Sequence, residues 1–269
     1  MLSVASSKEI PATVIRVSDL RCGYPGQTVL KGISFAVEQG EFLGILGPNG
    51  SGKTTLLHVI SGILPVEAGS IEVLGSPLDR LKHKERARNM AVVTQDSEVR
   101  FPFTCEEVVR MGRYPHQKRW QLDSIQDEAA VQQAMMLTDT AVLADRLVTA
   151  VSGGERQRVG MAKTLAQEAA VLLLDEATSA MDIHRKLQIF KVLKQLHEEE
   201  GLTVLAVLHD INLAALFCQR MLFIKDGTVV ADGASDVVLI PEIIEAVYQT
   251  RVLIQEVSEI GKRQVVFIP

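Results

Sequence analysis

The sequence predicts an α/β fold in which a parallel-sheet core follows an N-terminal antiparallel β-subdomain and is interrupted by an inserted α-helical subdomain. Three observations predict it. The apolar runs "AAVLLLDEA" and "LTVLAVLHD" are short enough to be strands and flank an amphipathic helical stretch over 183–200, the alternation that builds parallel sheets. After a frayed start over Met1 to Pro11, the chain alternates apolar and polar positions with turn signals at Pro25-Gly26 and Gln39-Gly40, as antiparallel strands do. Between 101 and 150, helix formers carry spaced apolar residues with little strand character.

Taken in order, "TVIRVSDLRCGY" and "VLKGISFAVEQGEFLGILG" read as antiparallel strands leading into a buried one. A helical period then runs from Lys53 to Ser61 and stops near Gly62, after which "GSIEVLGSPL" and "NMAVVTQD" return to strand. "TCEEVVRMG" and "SIQDEAAVQQAMMLTDTAVL" form the helical insert, and a further helix starts at Ser152. Past the two apolar runs, "MLFIKDGTVVADG" is a hairpin turning at Asp226-Gly227, followed by a helix near 237–248 and a closing strand pair. The chain therefore reads as one domain over 1–269. Residues 12–95 and 166–235 make the core with its antiparallel strands, 96–165 the helical subdomain and 236–269 a C-terminal extension.

Composition narrows the function classes. A net charge of -5 argues against a general nucleic-acid binder, so any polyanion must be held in a local site. Cys22, Cys105 and Cys218 lie far apart and give neither a metal spacing nor a disulfide framework. No basic-then-apolar leader and no run of eighteen apolar residues is present, so the sequence predicts neither export by the general secretory route nor a membrane span.

The segment "GPNGSGKTT", Gly47, Pro48, Asn49, Gly50, Ser51, Gly52, Lys53, Thr54 and Thr55, fits G-x-x-x-x-G-K-S/T between the strand "FLGIL" and the helix "TTLLHVI". Small residues let successive backbone N–H groups face phosphates, Lys53 reaches the β/γ-phosphates and Thr54 ligates Mg²⁺, which makes the core a P-loop nucleotide-binding one. In "AVLLLDEATSAMD" a strand delivers Asp175 and Glu176 to its carboxyl end, where ligands of parallel sheets bind. Asp175 is placed to hold the hydrated Mg²⁺ and Glu176 to take a proton from the attacking water. An acidic pair after a strand is by itself more often a helix cap; beside a phosphate loop the balance reverses.

A second glycine-rich helix start, Ser152-Gly153-Gly154-Glu155-Arg156-Gln157, offers an N-cap and a close backbone approach for an anion. With it the chain resembles the ATP-binding cassette (ABC) ATPases over nearly its whole length. The family signature usually begins Leu-Ser-Gly-Gly-Gln; here Val151 and Glu155 replace its first and last residues. The resemblance implies that the cofactors are ATP and Mg²⁺, and that one subunit's Ser152, Gly153, Gly154 and Glu155 close on the γ-phosphate held by the other subunit of a homodimer. It also implies that Tyr24 stacks on adenine, that Gln95 contacts Mg²⁺ and the attacking water, and that His209 contacts the γ-phosphate. Ser179-Ala180-Met181-Asp182 matches the family's following loop, with Met181 in place of leucine.

The insert "FPFTCEEVVRMGRYPHQ", with Gly-Arg-x-Pro-His after a helix, resembles cassette subunits of bacterial importers of iron-siderophore, haem and cobalamin complexes. That implies an ATPase at the cytoplasmic face of the inner membrane, peripheral to it. Its partners would be two integral membrane permease subunits and, indirectly, a periplasmic binding protein, with no nucleic acid. Arg110, Arg113, His116, Lys118 and Arg119 form a basic cluster suited to a partner's acidic or helix-terminal groups. The alternatives are a soluble cassette ATPase acting on a macromolecule and a small-molecule kinase, which would leave the signature helix without a purpose.

Overall fold

The computed structural model describes residues 12–94, 101–117, 124–178 and 181–268. Strands β1 (Thr13–Tyr24) and β2 (Gln27–Glu38) pair across the Pro25-Gly26 turn, and β3 (Phe42–Leu46) leads through the glycine loop into α1 (Lys53–Ile60). Next come β4 (Ala68–Val73), the two-residue β5 (Ser76–Pro77), α2 (His83–Asn89) and β6 (Met90–Val93). The helical insert holds α3 (Cys105–Arg110), α4 (Ile125–Leu137) and α5 (Gly153–Leu165), joined in part by short 3₁₀ turns. The chain continues through β7 (Val171–Asp175), α6 (Ile183–Glu200), β8 (Thr203–Val207), α7 (Ile211–Phe217) and the hairpin β9 (Arg220–Lys225) and β10 (Thr228–Ala234). Helices α8 (Ser235–Val238) and α9 (Pro241–Tyr248) and the hairpin β11 (Val252–Val257) and β12 (Lys262–Phe267) complete it.

The central sheet has the order β10-β9-β3-β8-β7-β6 and is parallel except for β10. Its inner strands β3, β8 and β7 are buried at every position because both faces are covered, and their period-two alternation sends successive residues into two different cores. Leu173, Leu205, Val207, Leu222 and Ile224 pack with α1 and the antiparallel sheet β2-β1-β4-β5 on one face. Leu172, Leu174, Val204, Ala206, Met221 and Phe223 pack with α6, α7 and the C-terminal helices on the other. Gly44 of β3 is required by this packing: a Cβ there would sit 2.9 Å from Cys218 Sγ. All three cysteines are free and buried.

The helical insert has a third core of its own, in which Val108 and Val109 of α3 meet Val131 and Met135 of α4 and Val159 and Ala162 of α5. Thr104, Ser124 and Ser152 each start one of these helices with a reciprocal capping box. Among the described residues, no helix is long and apolar enough to cross a membrane.

Two elements differ from the sequence reading. The segment "HKERARN" forms α2 although none of its residues is buried, so it carries no apolar period to read. The helix expected over 237–248 is two helices, because Pro241 occupies the first turn of α9 and cannot continue α8, whose last residue is Val238.

Candidate functional site

Strands β3, β8 and β7 are neighbours in the parallel sheet, so the residues that follow each of them emerge side by side at its carboxyl edge. The loop after β3 is built around positions that only glycine tolerates. Gly47 has φ 151°, and a Cβ on it would lie 2.0 Å from the Ile224 carbonyl oxygen; Gly52, at φ 103°, is the N-cap of α1. No side chain caps α1 and no acidic residue occupies its first turn, which leaves its N–H groups available to an anion.

Lys53 opens α1 and is only 5% exposed. Its ammonium donates to the carbonyl oxygens of Gly47 and Pro48, each at 2.9 Å. Burial lowers its pKa, opposed by the carboxylates of Glu176 and Asp175. The buried Ser51 hydroxyl has no hydrogen-bond partner among the described residues. An orphaned hydroxyl, a desolvated ammonium and an uncapped helix start together fit a polyphosphate.

The Thr54 hydroxyl donates to Asp175 Oδ1 at 3.0 Å, which joins the glycine loop to the end of β7. Asp175 is 2% exposed, and burial raises its pKa against the Thr54 bond and the nearby His58. A hydroxyl and a carboxylate in contact are a hard-oxygen pair of the kind that holds Mg²⁺. At Glu176 the backbone turns to φ 48°, a strained conformation for a non-glycine residue. His209, two residues past β8, meets Glu176 Oε1 through Nε2. Tyr24 stands at the end of β1, 45% exposed and so accessible to a flat ring. Gln95 lies outside the described residues, as do Ser179 and Ala180 of the following loop; Met181 is buried in the core and Asp182 caps α6.

The second glycine site is separate in sequence and differently finished. Ser152 Oγ accepts from the Glu155 N–H at 3.3 Å and donates to Glu155 Oε2 at 2.7 Å, while the Ser152 N–H donates to the same oxygen at 2.8 Å. Those bonds, first the one from the Ser152 backbone, hold the Glu155 carboxyl below its usual range. Glu155 thus buttresses the helix start. Beside it, a Cβ on Gly153 would meet nothing within 4 Å, so this end of α5 faces open space.

The basic cluster is the main correction. Arg113 is 4% exposed and ion-paired to Asp127 at 2.8 Å and to Glu168 at 2.7 Å. Arg110 is paired to Glu106 and Glu128. Charges neutralised in this way cannot offer an acidic partner an open basic patch; Lys118 and Arg119 lie outside the described residues. What the segment exposes is largely apolar: Phe101 and Tyr114 are each 70% exposed, and Phe103, Met111 and Tyr114 line a groove of about 520 Å³ together with Glu107, Arg110, Gln117 and Lys163. Sequence reasoning also missed His58, whose Nε2 is 3.8 Å from Asp175. The available signal was its i+4 spacing from Thr54 on α1.

The sequence model of the ABC transporter family matches residues 30–179. The chain belongs to that family and carries its ATP-binding ATPase domain. It is similar to the hemin import ATP-binding protein HmuV of Pseudomonas fluorescens, at 40% identity over 92% of this chain and 97% of the relative. It is likewise similar to the cobalamin import ATP-binding protein BtuD of Halobacterium salinarum, at 40% identity over 88% of this chain and 59% of the relative. The chain spans little more than half the length of BtuD and of YvrA of Bacillus subtilis, an ABC transporter ATP-binding protein of which it covers 54%. Among solved structures, an inward-facing ABC transporter described as of the metal-chelate type superposes with a TM-score of 0.82 at 25% identity, over 96% of this chain and 98% of that one. A dimeric bacterial ABC transporter cassette superposes with a TM-score of 0.74 at 28% identity, over 82% and 98% of the two chains.

Proposed function

We propose that this chain is the ATP-hydrolysing subunit of an importer of iron-siderophore, haem or cobalamin complexes, working as a homodimer. It sits peripherally at the cytoplasmic face of the membrane against two integral membrane permease subunits, and a periplasmic binding protein acts on it only through them. The observation that carries this reading is the pair of anion-ready helix starts. One, at α1, faces carboxylates and a histidine of its own chain, whereas at the other, among the described residues, Ser152 and Gly153 are exposed and a Cβ on Gly153 would meet nothing within 4 Å. A second copy supplies the missing counterpart, and the dimeric cassette among the structural neighbours supports this arrangement.

In this reading the loop from Gly47 to Thr55 cradles the phosphates of ATP and Tyr24 covers the adenine. Thr54, Asp175 and Gln95 hold Mg²⁺, which when bound neutralises charge on the β- and γ-phosphates. Lys53 exchanges its bonds to Gly47 and Pro48 for phosphate oxygens. Glu176, held by His209, takes the proton of the water that attacks the γ-phosphorus, and the bond to the β-phosphate breaks with ADP as leaving group. The partner's Ser152, Gly153 and Gly154 donors complete the charge stabilisation.

The groove lined by Phe103, Met111 and Tyr114 is where a helix of the permease docks, since an exposed apolar patch beside the insert is costly unless covered. Met111→Asp with Tyr114→Asp is expected to lower uptake of radiolabelled ferric enterobactin, hemin or cyanocobalamin at least tenfold in proteoliposomes carrying the copurifying membrane subunits. ATP affinity of the isolated chain should be unchanged. Unaltered uptake removes the groove from the docking surface, and copurification of no multispanning protein favours the soluble cassette ATPase instead.

A further inference from the structure

The motif Gly112-Arg113-Tyr114-Pro115-His116 is fastened to the C-terminal end of α5, the helix whose other end is Ser152. Gly112 lies so close that a Cβ would be 2.1 Å from the Lys163 carbonyl oxygen. Arg113 donates to the Ala166 carbonyl at 2.7 Å, to Glu168 at 2.7 Å and to Asp127 at 2.8 Å. His116 Nε2 is 2.8 Å from the Gln167 carbonyl oxygen, and Gln167 Nε2 donates to the Met90 carbonyl at the start of β6. On the far side, the Pro115 carbonyl accepts from Arg88 of α2 at 2.8 Å. Most of these contacts go to the last turn of α5 and the residues that follow it, while Asp127 of α4 and Arg88 of α2 brace the motif from its other sides.

We infer that this motif is a joint, with Arg113 its positioning residue, that fixes the angle of α5 and thereby the place of Ser152 in the composite site. The inference rests on the trans arrangement proposed above. Thirteen helical residues span about 20 Å, so a pivot of about 5° at the Ala166 end displaces Ser152 by about 2 Å. Misplacement on that scale is enough to cost on the order of 10²-fold in a reaction that depends on orientation. The groove residues Met111 and Tyr114 flank Arg113, so an occupant of the groove bears on the same joint.

Lysine can answer one of Arg113's three acceptors but not all of them, because it is a point charge without the planar fork. Arg113→Met leaves Asp127 and Glu168 without their cation, a loss that destabilises the fold itself, so Arg113→Lys is the informative variant. It is expected to keep a cooperative melting transition and monomer affinity for a fluorescent ATP analogue within twofold of wild type, while kcat for ATP falls at least tenfold. A kcat within twofold of wild type in the folded variant, or a loss of affinity equal to the loss of kcat, overturns the inference. Ser152→Arg run alongside separates the two claims: if it too leaves kcat intact, the trans reading has failed, whereas its inactivity beside a fully active Arg113→Lys condemns the joint alone.

Discussion

Lys53→Ala is expected to lower ATP hydrolysis at least 10³-fold. The side chain is the buried cation of the glycine loop, already stripped of water and held by two loop carbonyls, so the cost of placing its charge there has been met in folding. Two carboxylates, Asp175 and Glu176, stand close enough to oppose the lowering of its pKa, and without the ammonium they face incoming phosphates uncompensated. The effect should fall on ATP affinity and kcat together, because the ammonium serves ground state and transition state alike. Phosphate release by a variant with wild-type melting temperature is the check; near-normal turnover would remove the loop from the chemistry.

Glu176→Gln should lower kcat by about 10²–10⁴-fold while leaving ATP binding in place, which is the span of a general base. The amide has the size of the carboxylate and retains an oxygen toward His209, so the turn at φ 48° need not rearrange, but it cannot accept the proton of the attacking water. A site that binds and cannot turn over should hold the two copies together. Sizing chromatography with ATP-Mg²⁺ is expected to move the variant to the dimer position, and a variant that binds ATP yet elutes as a monomer contradicts the composite site.

Much of this site was legible because its signals are local. The glycine loop, the run delivering Asp175 and Glu176, and the Ser152 helix start each lie within about a dozen residues, and the sheet order then brings the first two and His209 to one edge. What could not be read depends on distance in the chain. Arg113 reads as one of a basic cluster open to a partner because its own partners, Asp127 and Glu168, are 14 and 55 residues away, and only the fold discloses that it is buried. For α2, helix formers without a buried face leave no period to detect. The break between α8 and α9 has a local signal in Pro241, since a proline at that position marks the first turn of a new helix.

The central claim is that each catalytic site takes its phosphate loop from one chain and its signature from another. Its most direct measurement mixes Ser152→Arg with Lys53→Ala, each inactive alone. Random pairing makes half of the dimers mixed, and each mixed dimer has one intact site, Lys53 from one chain opposite Ser152 from its partner. The mixture is therefore expected to regain about a quarter of wild-type activity, with wild-type activity itself rising more steeply than linearly with protein at low concentration. Strictly linear activity together with no recovery on mixing would show that each chain works alone.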